Sequence, residues 1–293
     1  MISYEPELAS APDAARRIAI ERREIVPVGR ELRALAWCGV MLIATGVGII
    51  IRDHIHDIGP LAIAMAIGVA AAACYGFAVW RPDAKPWADS VVLLGALLIS
   101  ADVAFIEAQW HLLGGEWQRH FLLLAVAHAI AAYVFGSRAV LSLAVAAFAA
   151  WMGIEQRSVF QSDIDLAIRA FLCAGSLGIF RAMNRKAEFN PVFDHFATNI
   201  AFWGALVLTF NDDTRLVGVL LTLVFAAGSL TYGLRRKLEP FVIYAIVYPL
   251  IAVDILIFDL LHEEMLAAFY LVVSTVAAIT GLIVLHFRFR RAS

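Results

Sequence analysis

The sequence predicts an all-α, polytopic transmembrane bundle of about ten helices with both termini cytoplasmic. Three observations predict it. Of 293 residues, 62% are hydrophobic and 16% charged, with a mean hydropathy of +0.80, which is more apolar surface than a water-soluble domain can hide. Continuous apolar stretches recur from Ala34 to His286. Hydrocarbon offers backbone N–H and C=O groups no water, so spanning segments must be helices or a closed barrel, and unbroken runs exclude the alternating barrel pattern. Finally, Lys and Arg gather in every second gap, as the positive-inside rule requires.

Spans are expected over 34–51, 60–80, 91–111, 117–135, 139–154, 165–180, 193–210, 215–232, 240–261 and 265–286. No cleavable leader precedes the first, because residues 1–33 are polar and densely charged, so that helix is itself the insertion signal. Within this lead-in, Ala14 to Ile25 can form a short helix on the anionic leaflet or serve only to fix topology. The second span opens at Gly59-Pro60, and the third carries Asp102 and Glu107. A tight Gly136-Ser137-Arg138 connection makes the fourth and fifth an antiparallel hairpin. The fifth and sixth are short, so a count of eight stays open against ten. Asn190-Pro191 begins the seventh, with Asn190 as cap and Pro191 at N1. In the ninth, Pro249 frees the carbonyl of Ala245 and kinks the helix before Asp254. Residues 287–293 form a basic tail.

The charge pattern sets the orientation. With the N-terminus inside, only Arg52, Arg119, Arg157 and Arg215 fall outside and Arg169 lies within a span; every other member of the 23 Lys and Arg is inside. A miscounted helix would reverse every later loop.

Ionisable groups inside a bilayer are costly, about 2.5–3.5 kcal/mol at the helix centre, so function is sought there first. The candidates are Asp102, Glu107, His128, Arg169 and Asp254. On this topology Asp102, Glu107, Arg169 and Asp254 share the outer half, with His128 deeper. They form either a polar pocket in which Arg169 balances Asp102 or Asp254, or separate residues, with Arg169 snorkelling to water and an Asp bonded to a neighbouring Ser or Tyr. At the cytoplasmic edge, Asp194, His195 and Asn199 make a second candidate group, with His195 and Asn199 one turn apart on one face. Cys38, Cys74 and Cys173 all lie in apolar spans as small hydrophobes.

Catalytic readings find little support. Asp102 and Asp254 lack the Tyr-Asp and Gly-x-Gly-Asp surroundings of intramembrane aspartyl proteases. His262-Glu263-Glu264-Met265-Leu266 has Leu where a zinc site needs its second His. There is no phosphate loop or dinucleotide fingerprint, and no metal or cofactor is expected. The expected partners are the lipid bilayer, a small solute or ion, and a membrane protein; nucleic acid is not among them.

The run Leu35-Ala36-Trp37-Cys38-Gly39-Val40-Met41-Leu42-Ile43-Ala44-Thr45-Gly46-Val47-Gly48, followed by a polar loop and Gly59-Pro60, resembles the start of the DUF2157 predicted membrane proteins. Pro12-Asp13-Ala14-Ala15-Arg16-Arg17-Ile18 is similar to that family's helical lead-in, and the Gly114-Gly115 loop and the Ser137-Arg138-Ala139-Val140-Leu141 hairpin entry fit its style. The family's usual Asn-Trp after the first span is here Asp53-His54-Ile55-His56. The resemblance implies an integral membrane protein of the inner membrane and brings no site residues. Two functions are carried forward: a small-solute or ion transporter using the outer polar cluster, and a non-catalytic structural or assembly partner. An enzyme acting on a lipid-linked substrate is a third class.

Overall fold

The computed structural model describes residues 59–80, 85–112, 117–154, 164–261 and 264–292, with scattered helical positions between 35 and 49. The expected lead-in and most of the first expected span lie outside the described residues. Among the described residues all regular structure is helical. The chain forms two compact units, Met1–His111 and Leu112–Ser293.

The first unit contains α1 (Pro60–Trp80) and α2 (Lys85–Trp110), packed against each other. Their contact is made by two glycines in opposite roles. A Cβ on Gly95 of α2 would lie 3.2 Å from Cys74 Cβ and 3.3 Å from the Tyr75 ring, while one on Gly68 of α1 would lie 3.4 Å from the Asp102 carboxylate. Each helix thus offers a glycine to a side chain of the other, Gly68 and Tyr75 standing seven positions apart on α1 and Gly95 and Asp102 seven apart on α2. Small residues bring backbones together where there is no hydrophobic drive between helices already in lipid.

In the second unit the helices are α3 (Trp117–Phe135), α4 (Arg138–Trp151), α5 (Ile164–Met183), α6 (Asn190–Phe210), α7 (Arg215–Arg236), α8 (Glu239–Leu260) and α9 (Glu264–Ala292), with a 3₁₀ turn at Ala187–Phe189. Consecutive pairs α3–α4, α5–α6, α6–α7 and α7–α8 pack as neighbours, α9 packs on α8, and α6 also touches α4 and α8. The centre of the unit is therefore α6, which buries Val192, Phe193, Phe202, Gly204, Ala205, Leu206, Val207, Leu208 and Thr209. Close approach is again by a small residue: Gly204 leaves room for Ala170 and Phe171 of α5. The turn from α6 to α7 is closed by Thr214 Oγ1 donating to the Leu208 carbonyl at 2.9 Å and by an Arg215–Asp212 ion pair. A left-handed Lys237 ends α7, returning its N–H to Gly233 and Leu234 carbonyls.

Seven described helices are long and apolar enough to cross a bilayer: α1, α2, α3, α5, α7, α8 and α9. The expectation of about ten spans is thus reached only in part. Helix α4, the expected fifth span, has 14 residues and covers about 21 Å at 1.5 Å each, short of a hydrocarbon core of roughly 30 Å. Helix α6, the expected seventh, has 21 residues but is not among the seven, because its first half carries Asp194, His195, Thr198 and Asn199. A helix surrounded by others need not be apolar all round, since its polar groups face protein instead of lipid.

Candidate functional site

The first half of α6 holds the densest polar network among the described residues. Upstream, Asn184 organises the entry: its Nδ2 donates to the Lys186 carbonyl at 2.6 Å and to Asn190 Oδ1 at 2.9 Å, and its Oδ1 accepts from the Lys186 N–H at 3.1 Å and from the Tyr133 hydroxyl at 2.8 Å. The cap expected at Asn190 is not its role. Phe189 occupies the N-cap position without a side-chain bond, and Asn190 is the first helical residue, its side chain turned back to Asn184.

One turn on, Asp194 accepts from Arg181 Nε at 2.5 Å and from the Tyr232 hydroxyl at 3.0 Å, tying α5, α6 and α7 together. His195 Nδ1 shares a hydrogen bond of 3.2 Å with the Tyr244 hydroxyl, and its ring stacks on Phe241 at 4.8 Å between centroids. Asn199 donates from Nδ2 to the His195 carbonyl at 2.7 Å, which turns Oδ1 toward the Tyr248 hydroxyl, also at 2.7 Å. Above it Phe202 lies nearly parallel to Tyr248, centroids 4.4 Å apart. Helices α6 and α8 run the same way, and His195 and Asn199 on one match Tyr244 and Tyr248 on the other, four residues apart on both. Leu206 and Ala252 continue the contact as an apolar core.

Beside this ladder is a cavity of about 560 Å³, with Asp194, Thr198, Ser229 and Tyr232 supplying its polar wall and Phe202, Phe225 and Phe241 its aromatic one. Space exists because Ala174, Ala197, Ala201 and Gly228 leave it unfilled; a Cβ on Gly228 would meet nothing within 4 Å. A second recess of about 640 Å³ shares Gly228 and Tyr232 and continues to Arg235 and Arg236 at the end of α7.

Of the residues anticipated here, Asp194, His195 and Asn199 come together. Sequence reasoning missed their partners, Arg181, Tyr232, Tyr244 and Tyr248. The signal was the matching i, i+4 spacing of Tyr244 and Tyr248 with His195 and Asn199.

The other anticipated residues are distributed over both units. In the first, the Asp102 carboxylate lies against Gly68 and Glu107 is buried. In the second, His128 is among the largest fully buried side chains. Arg169 is exposed, its guanidinium beside Gly153 in the turn that ends α4. Asp254 accepts from the Tyr270 hydroxyl at 2.8 Å and from Ser274 Oγ at 3.2 Å, joining α8 to α9. These three residues ride on α3, α5 and α8, which pack mainly on α4, on α6, and on α6, α7 and α9 respectively. No cluster of His, Cys, Asp and Glu suited to a metal ion occurs among the described residues.

Residues 8–141 match the model of the DUF2157 family, described as predicted membrane protein. The resemblance read in the N-terminal sequence is thus a family match, and it extends through α1, α2 and α3 to the start of α4. No curated protein and no solved structure matches the chain. Taken with the seven helices long enough to cross a bilayer, the match makes this an integral membrane protein.

Proposed function

We propose that the protein is a carrier for a small polar solute or ion, and that the cavity beside Asp194 is its cytoplasm-facing site. The supporting observation is the cavity itself: about 560 Å³ is within the roughly 300–1,000 Å³ of small-molecule sites, and a carboxylate, two hydroxyls and a phenol face it inside an otherwise apolar bundle. Its place near Arg181, Arg235 and Arg236 supports a cytoplasmic side by the positive-inside rule. Asp254, placed in the outer half by the same topology and carried on α8, is the other end of the path in this reading. Pro249 lies between, breaking the backbone ladder of α8 about one and a half turns beyond Tyr244 and as far before Asp254, where a helix bends most readily.

The test begins with a thermal-stability screen of the purified protein against amino acids, sugars, organic acids and monovalent cations. Compounds that stabilise it are then followed as radiolabelled uptake into vesicles. Gly228→Leu, whose Cβ has nothing within 4 Å and whose side chain starts from the cavity wall, is expected to leave folding intact and abolish both signals, and Asp194→Asn to weaken both. Stabilisation and uptake that survive Gly228→Leu would overturn the site, and a screen with no stabilising compound and no uptake would overturn the carrier.

The assembly reading is favoured by α9. Ser274 is the one buried residue among its described side chains, so a 29-residue helix is joined to the rest chiefly along α8. A partner protein that co-purifies in stoichiometric amount, and is lost when the outward face of α9 is replaced, would favour it over the carrier.

A further inference from the structure

Helices α3, α4 and α5 leave between them a cleft of about 400 Å³. Its walls are almost wholly apolar: Leu122, Val126 and Ala129 from α3, Leu141 and Phe148 from α4, Leu177 and Phe180 from α5. Leu122, Val126, Phe180 and Met183 at its edge are exposed. One end closes on polar groups, Tyr133 and Asn184, joined by their hydrogen bond.

A cation is fixed at that end. Lys186 Nζ donates to the Tyr133 carbonyl at 2.5 Å and sits 5.7 Å from the Tyr133 ring centroid and 5.5 Å from that of Phe189. Rings and carbonyl together hold the ammonium in place. An ammonium has three donors, and the carbonyl takes one. Arg138 and Arg185, both exposed, flank the same end, as does Glu188 beside Gly136.

We propose that this cleft binds an anionic phospholipid of the cytoplasmic leaflet, with one acyl chain between α3 and α5 and the phosphate on Lys186. Charge complementarity selects the occupant. A purely apolar helix from a partner would gain nothing from a lysine held at the mouth, whereas a phosphate accepts the two remaining donors. The cleft runs away from the cation-rich end toward Leu122 and Phe148, the direction a chain takes from its headgroup into the bilayer. This site is separate from the Asp194 cavity and does not depend on what that cavity carries.

Native mass spectrometry of the detergent-purified protein tests it, with phosphatidylglycerol and phosphatidylcholine of identical chains as probes. One cation at the membrane surface corresponds to about a fivefold preference for the anionic lipid. Lys186→Gln is expected to remove that preference while both lipids still bind, and Lys186→Arg to keep it. Ala129→Phe, which plugs the cleft, is expected to reduce retention of both lipids. Glycerol 3-phosphate, the headgroup chemistry without a chain, is expected not to displace phosphatidylglycerol. Equal retention of the two lipids by the native protein overturns the proposal. So does a preference that survives Lys186→Gln, retention that survives Ala129→Phe, or displacement by glycerol 3-phosphate. Should Lys186→Gln fail to fold by circular dichroism, the native protein, Ala129→Phe and the soluble competitor decide the matter between them.

Discussion

The rung between Asn199 and Tyr248 can be isolated by a double-mutant cycle of Tyr248→Phe, Asn199→Leu and the pair. Tyr248→Phe deletes one hydroxyl and keeps the ring, so the stack on Phe202, 4.4 Å between centroids and 3° from parallel, survives. What is lost is a 2.7 Å O–H···O bond to an amide already oriented by its own 2.7 Å bond to the His195 carbonyl. Side-chain hydrogen bonds between membrane helices average about 0.6 kcal/mol by such cycles and reach about 1.7. Short length and a pre-turned acceptor place this one in the upper part of that range, and we expect a coupling of about 1–1.5 kcal/mol. Tyr248→Phe alone leaves Asn199 Oδ1 without its donor. Adding Asn199→Leu removes the stranded acceptor, so the second change costs less in that background than in the native one. Reversible unfolding in mixed micelles, read by circular dichroism, gives the four free energies. A coupling under about 0.3 kcal/mol, within the additivity expected of independent sites, would show that the rung does not form and would remove the argument that α6 and α8 are held in register by it.

Other outcomes follow from the same contacts. Gly95→Ala is expected to destabilise by about 1–2 kcal/mol because its methyl meets Cys74 Cβ at 3.2 Å, whereas Gly68→Ala, at 3.4 Å from a carboxylate oxygen, should be neutral or slightly stabilising; thermal melts in one detergent compare them directly. Arg181→Gln leaves Asp194 its Tyr232 bond but no cation, and should cost more stability than Asp194→Asn, which can still accept from Tyr232 and leaves behind a guanidinium that is 41% exposed. Asp254→Leu strands the Tyr270 hydroxyl and should lower stability by about 1 kcal/mol, while Asp254→Asn, still an acceptor, should lose less than half of that. Pro249→Ala restores a donor to the Ala245 carbonyl and should raise the melting temperature while slowing any solute flux; faster flux would contradict a bend at this point.

Much of this was readable in the residues, and the failures have physical causes. Span positions followed from hydropathy because lipid imposes one requirement on every exposed helix. Helices α4 and α6 fall outside the seven apolar spans for opposite reasons. Helix α4 is apolar enough but too short, and apolarity alone does not report where the chain turns, which is set by Gly153 at φ +80°. Helix α6 is long enough but polar, because its neighbours are protein. Asp194, His195 and Asn199 stood out as polar groups at a helix start, yet their partners did not, since Tyr232, Tyr244 and Tyr248 read along the chain as aromatic members of apolar runs. Only the return of α8 alongside α6, forty-nine residues later, turns their hydroxyls into donors. Asp254 was legible as a membrane carboxylate, and its bonds to Tyr270 and Ser274 match the local reading of an Asp held by a neighbouring Tyr or Ser.

The equal spacing of the ladder has a mechanical consequence. Because α6 and α8 are parallel and their polar positions repeat every four residues on both, the ladder is a vernier: displaced by one helical turn, about 5.4 Å, Tyr244 comes opposite Asn199, or Tyr248 opposite His195. Either shift trades two rungs for one and strands a single side chain at each end, where the Asp194 cavity lies on one side and the apolar core at Leu206 and Ala252 on the other. A packed pair of helices that mates in more than one register can move by a discrete step instead of a continuous slide.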